Sequence, residues 1–204
     1  MTGFDHIAIA ARTLSEGVAC VEAALGVPLE PGGEHPLMGT HNRLLSLGPD
    51  AYLEVIAINP DAPAPAFPRW FALDTFAGAP APQAWIVGVD DLDARLIAAP
   101  EGAGAPVDLA RGDLRWRMAV PASGVLPFDG LFPALIQWQG QAHPAQRLPD
   151  RGVRLHGLRL SHPRASDLKA ACAPLISDPS VRYEHAQAPK IMAEFDTPKG
   201  RICL

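Results

Sequence analysis

A chain of 204 residues, 48% hydrophobic and 19% charged, can bury a proper core and is an ordinary globular protein rather than a disordered one. A net charge of -5 gives nucleic acid or an anionic membrane surface little to hold, and no apolar run is long enough to span a bilayer. Cys20, Cys172 and Cys203 are odd in number and lack CxxC spacing, which excludes a disulfide scaffold or zinc ribbon and suits a reducing cytoplasm.

Phe4-Asp5-His6-Ile7-Ala8-Ile9-Ala10 predicts a first strand, with Ile7 and Ile9 on one face and His6, Ala8 and Ala10 on the other. The segment is too short for a secretory signal, and no basic residues precede it. Thr13-Leu14-Ser15-Glu16 reads as a capping box opening a helix. Leu14, Val18, Val21 and Leu25 form its apolar stripe, Gly26 and Pro28 end it, and Cys20 is expected to be a small buried residue. A minor strand is expected near Val27 to Glu30.

A hairpin follows: Gly39 to Leu47 is broken at Gly48-Pro49-Asp50 and returns through Tyr52 to Ile58. Alternation places Glu54 on one face with Tyr52, Ile56 and Ile58, while Leu53, Val55 and Ala57 point the other way. A bare carboxylate in so apolar a strand is costly, so Glu54 requires a cation, a metal or water. His6 on the first strand shares that open face.

The 22 prolines and 18 glycines mark connectors between short elements of a sheet-rich fold. The pattern restarts at Ala84 to Val89, where Asp90 or Asp91 caps a short helix and strands follow near 107–110, 115–120 and 134–138. It starts a third time at Val153 to Leu160, with a helix near 164–172 and strands near 181–185, 191–195 and 201–204. This gives an α+β fold of repeated βαβββ modules whose antiparallel sheets curve into a cup, helices outside. The expected boundaries are 1–60 for the first module, 61–82 for a Pro-rich linker, 83–142 for the second module, and 150–204 for a shorter third one.

Asp5-His6-Ile7-Ala8-Ile9, Gly39-Thr40-His41-Asn42-Arg43-Leu44 and Tyr52-Leu53-Glu54-Val55-Ile56, with the repeated unit, resemble the vicinal oxygen chelate superfamily, and more narrowly its glyoxalase-like domain branch. The resemblance implies two modules around a divalent ion, with His6 and Glu54 at two ligand positions. An imidazole and a carboxylate suit Mn, Fe, Ni or Zn; the alternative is a buried histidine–carboxylate hydrogen bond without metal. The second module departs from the pattern, with Ala84 or Trp85 in place of a histidine and Gln137 in place of the second carboxylate. A plain glyoxalase I set is therefore absent, and a third imidazole would have to be His41 or His156.

Asn42 is expected to line the cup with His41, and Gln137 to point inward as a weak ligand or substrate hydrogen-bond donor while Ile136 and Trp138 pack on the helix. His35, His143, His162 and His185 are expected on the surface. Trp70 and Phe71 either lid an apolar pocket or pack in the core. Two functions are open to such a chain. One is an enzyme in which Glu54 is catalytic and a metal stabilises an enolate or oxyanion of a small oxygenated metabolite, by isomerase, lyase or dioxygenase chemistry. The other is a metal-free small-molecule binding or sequestering protein on the same scaffold. Either would be cytoplasmic, a monomer or homodimer, with a small molecule as partner and neither nucleic acid nor membrane.

Overall fold

A computed structural model describes residues 3–204. The first module is β1 (Gly3–Ala10), α1 (Leu14–Leu25), β2 (Glu30–His35), β3 (Thr40–Ser46) and β4 (Tyr52–Ile58). The second is β5 (Ala81–Gly88), α2 (Leu92–Ile97), β6 (Ala105–Arg111), β7 (Leu114–Val120) and β8 (Ala134–Gln139). The last stretch holds β9 (Arg154–His162), α3 (Ala165–Cys172), β10 (Val181–His185), β11 (Lys190–Thr197) and β12 (Gly200–Cys203).

Local chemistry sets these boundaries. Thr13 Oγ1 accepts the Glu16 amide at 3.2 Å, and Gly26, at φ 72°, closes α1 in the left-handed conformation that a side chain resists. The Glu16 carboxylate turns to Arg12 instead, so half of the expected capping box forms. Asp91 caps α2. The strand after α1 begins at Glu30 rather than ending there, and Cys20 is exposed on α1.

One eight-stranded sheet runs β2-β3-β4-β1-β5-β8-β7-β6. Within each module the first strand lies parallel to the last, and the antiparallel β1–β5 pair joins the modules into a half-barrel. Its concave face carries Ala8, Ile56, Ala84, Ile86, Trp116, Met118 and Ile136, closed over by Trp70 and Phe71 from a 3-10 turn at Trp70–Thr75. That turn lies inside the Pro-rich connector.

The convex face carries Ile7, Ile9, Leu53, Val55, Trp85 and Val87, in one core with Leu158, Leu160, Ala193 and Phe195 of a second sheet, ordered β10-β9-β11-β12. The strand–helix–three-strand order recurs a third time, but the wiring differs. β9 is parallel to the next strand, β10, and antiparallel to β11. These last strands therefore back the half-barrel, and His156 pairs with Asp196 on the second sheet, not in the cup.

Candidate functional site

The site begins with an irregularity in β1. Phe4 pairs with Val87 and His6 with Ile86, so Asp5 is an extra residue with no partner across the strand. Such a bulge breaks alternation and turns neighbouring side chains to one face. Asp5 Oδ1 lies 2.6 Å from His6 Nδ1, while Asp5 Oδ2 accepts Trp138 Nε1–H at 2.8 Å and lies 3.2 Å from His143 Nε2. Burial alone would raise the Asp5 carboxyl, but the hydrogen bonds and charges of His143 and His6 hold it well below the usual carboxylate range. An ionised carboxylate only accepts, so each imidazole donates to it. His6 therefore carries a proton on Nδ1 and presents Nε2 to the cup.

Opposite stands Glu54, only 5% exposed, with Oε2 3.7 Å from His6 Nε2. The His6 ring is held flat on Tyr52, centroids 4.3 Å apart and planes 13° from parallel. Burial, with Asp5 and Glu54 nearby, raises the Tyr52 hydroxyl well above its ordinary value. Asn42 Nδ2 donates to Glu54 Oε1 at 2.5 Å. Asn42 Oδ1 accepts Gly33 N–H at 2.7 Å and Arg111 Nη1–H at 3.2 Å. Gly32 and Gly33 face Asn42 in a second bulge, where a Cβ on Gly32 would collide with Asn42 Oδ1. The result is one line of groups across the cup: Arg111, Asn42, Glu54, His6, Asp5 and His143.

The cavity between them is about 30 Å³, lined also by His35, Trp70, Phe71, Trp116, Ile136 and Trp138. His35 is buried, bonds Thr40, and is pulled by burial down to about 4. The lid residue Trp70 is 3% exposed, and its Nε1 has no partner among the described residues.

Of the residues singled out in the sequence, His6, Asn42 and Glu54 meet in the cup. His41 does not: one position from Asn42 along β3, it falls on the other face and pairs in register with Ala57. Gln137 does not either. Its amide accepts the Leu92 N–H and donates to the Asp90 carbonyl at the start of α2, while Ile136 and Trp138 face the cup. His35, His143 and His162 are buried rather than on the surface; His185 is exposed. Sequence reading also passed over Asp5, Tyr52 as a ring support, and Arg111.

These positions decide how a divalent metal would be held. The second module turns Ala84, Ile86, Ala134 and Ile136 to the cup, none of them a ligand. Among the described residues no three His, Cys, Asp or Glu side chains form a metal-holding group. His35 lines the same cavity but bonds Thr40 and joins no metal-holding group with His6 and Glu54. The remaining imidazole and carboxylate are fewer donors than a resident catalytic metal takes from its protein, so the donor set does not fit one.

Fold and site together define a cupped half-barrel of paired βαβββ modules with a buried imidazole–carboxylate pair in the cup. Residues 4–176 match the family described as a glyoxalase-like domain, and the chain belongs to that family, as its resemblance to this branch of the vicinal oxygen chelate superfamily implies. No curated protein matches the chain. Among solved structures it is similar to a hypothetical protein from Staphylococcus aureus, at 13% identity and TM-score 0.64, covering 93% of this chain and 88% of that one. Methylmalonyl-CoA epimerase from Streptomyces coelicolor (a single-residue variant in complex with 2-nitronate-propionyl-CoA) is 17% identical, TM-score 0.48, over 69% of this chain and 99% of that one. The Mycobacterium tuberculosis methylmalonyl-CoA epimerase is 21% identical, TM-score 0.44, over 69% and 89%.

Proposed function

We propose that the chain is an enzyme of small oxygenated metabolites that transfers a proton across the gap between Glu54 and His6, an isomerase-type reaction. The observation that supports it is the pair itself: a buried imidazole Nε2 and carboxylate Oε2 facing each other at 3.7 Å in a small cavity, the imidazole oriented from behind by an ionised Asp5. Two acceptors placed face to face are favourable only with a proton or cation between them. With one proton on Nε2, Glu54 is the base and His6 the acid. Glu54 removes the proton from a carbon beside a carbonyl, and that electron pair forms the C=C bond. The carbonyl π pair moves to oxygen, which takes the proton from His6 Nε2. Asp5 stabilises the imidazolium needed for this step, and Tyr52 fixes its ring. Where the neighbouring carbon bears a hydroxyl, Glu54 returns its proton to the former carbonyl carbon while His6 Nε2 takes the proton of that neighbouring hydroxyl, whose oxygen becomes the new carbonyl, and the product is the isomer.

The cup closes within one chain, so a second copy is not needed to complete it. Free thiols at Cys20, Cys172 and Cys203 suit the cytoplasm. A sequestering role would use a roomier and less charged cavity than this one. The metal-dependent reading rests on the same two donors, His6 and Glu54.

The test is hydrogen exchange in D2O, followed by proton NMR on a panel of 2-oxo acids, 2-hydroxy ketones and thioesters. Exchange beside the carbonyl of at least one class is expected, falling about 10²- to 10⁴-fold in Glu54→Gln and His6→Gln. No exchange above buffer, or exchange unchanged in both variants, would overturn the proposal.

A further inference from the structure

Arg111 has a place that the proton-transfer step does not use. It ends β6 at the tip of the β6–β7 hairpin, in the second module, and crosses the seam of the half-barrel to Asn42 in the first. The two edge strands of the large sheet, β2 and β6, approach each other along that seam. Outside it lies an open cleft of about 400 Å³, bordered by Glu30 to Gly33, Gly112 to Leu114, Pro144 and Arg147 to Pro149. Arg111 lines both this cleft and the small inner cavity, and no other described residue lines both.

Its charge is free to act. Among the described residues no carboxylate lies within ion-pair distance of the Arg111 guanidinium, and its hydrogen bond is to the neutral Asn42 amide. The other arginine lining the cleft, Arg147, is neutralised by Asp113, and Arg151 pairs with Glu30 at its border. Asn42 stands between Arg111 and Glu54, its oxygen toward the cation and its nitrogen toward the carboxylate. The fold thus keeps a cation and an anion apart where direct pairing would have consumed both. It does so at a cost in chain freedom: a Cβ on Gly33 would sit 2.5 Å from Arg111 Cδ, so glycine is what lets the arginine pass over β2.

We propose that Arg111 is the substrate-binding residue of the site, and that the substrate is a monocarboxylate entering from the seam cleft. A guanidinium holds a carboxylate through paired N–H donors, which fixes orientation as well as place. A cavity of about 30 Å³ admits about two water-sized groups, so only the reacting carbon and its carbonyl pass beyond Arg111. The rest of the molecule lies in the cleft. Among the described residues Arg111 is the one arginine or lysine lining cavity or cleft without a carboxylate partner, which matches a single carboxylate rather than a polyphosphate. The chemistry after binding rests on the proton-transfer reading; the anion site does not.

Binding and chemistry are therefore measured apart. Titration calorimetry with glycolate, pyruvate and 2-oxobutyrate, and with their amides, is run on wild type, Arg111→Gln, Arg111→Lys, Gly33→Ala and Glu54→Gln. Wild type is expected to bind at least one acid ten-fold or more tighter than its amide. Arg111→Gln abolishes that preference, Arg111→Lys retains part of it, and Gly33→Ala weakens it with the charge intact. Glu54→Gln keeps the preference while losing exchange, so a failure of the chemistry does not pass for a failure of the anion site. Equal binding of acid and amide by wild type, no binding of any acid, or a preference that survives in Arg111→Gln would each overturn the proposal.

Discussion

Asp5 and His6 are neighbours in sequence, yet both side chains stand on the concave face of β1, joined by a 2.6 Å hydrogen bond. A regular strand would put them on opposite faces; the bulge at Asp5 is what couples them. Replacing Asp5 with Asn keeps the shape but offers His6 Nδ1 an amide that suits either tautomer. Exchange is expected to fall about 10²- to 10⁴-fold. Acid-over-amide binding at Arg111 is unchanged, and the pH–rate profile moves. A variant that loses binding and rate together, with no change in profile, would show Asp5 to be structural only.

Gln137→Leu tests the placement of that side chain at α2. It removes one acceptor from the Leu92 amide and one donor from the Asp90 carbonyl. A loss of about 1–2 kcal/mol in denaturant melts is expected, with carboxylate binding unaffected. Weakened ligand binding at unchanged stability would instead put Gln137 in the cup.

How much of this was legible in the sequence depended on locality. The faces of His6 and Glu54 follow from alternation within their strands, whereas Asn42 was expected in the cup from the family resemblance and together with His41. The hairpin that carries Asn42 and Glu54 announces itself through Gly48-Pro49-Asp50. The face of Gln137 did not follow, because β8 is apolar on both sides: Leu135 packs on the convex core while Ala134 and Ile136 fill the cup. Asp5 was hidden by the bulge. Arg111 and His143 reach the site only once the sheet has closed, from positions 69 and 138 residues away from their partners. The third run of strands repeats the order of elements but not their pairing, and pairing is not local.

His35 makes stability fall in acid. Its folded value of about 4 lies below the unfolded value near 6.5, because burial outweighs the attraction of Glu54, while Arg111, His6 and His41 add to the lowering. Its contribution is fully present above about pH 6.5 and is lost as pH falls toward 4, on the order of 3 kcal/mol. Urea melts from pH 7 to 4 are expected to show this slope, and His35→Gln to flatten it. Equal slopes in both proteins would contradict it.

Gly32→Ala places a Cβ 2.5 Å from the Asn42 carbonyl oxygen as well as against its amide, and backbone cannot swing aside. A loss of about 1–3 kcal/mol in stability is expected, together with loss of exchange as Asn42 leaves Glu54. Full activity at wild-type stability would show that the β2 bulge does not position Asn42.

The most direct test is whether proton transfer by Glu54 and His6 survives without metal. Protein purified without a metal-binding tag is stripped with chelator, its metal content is measured, and its D2O exchange on the accepted substrate is compared before and after. The expected result is far less than one metal per chain and an undiminished rate that still falls in Glu54→Gln. Exchange that vanishes on stripping and returns with Mn, Fe, Ni or Zn would contradict it.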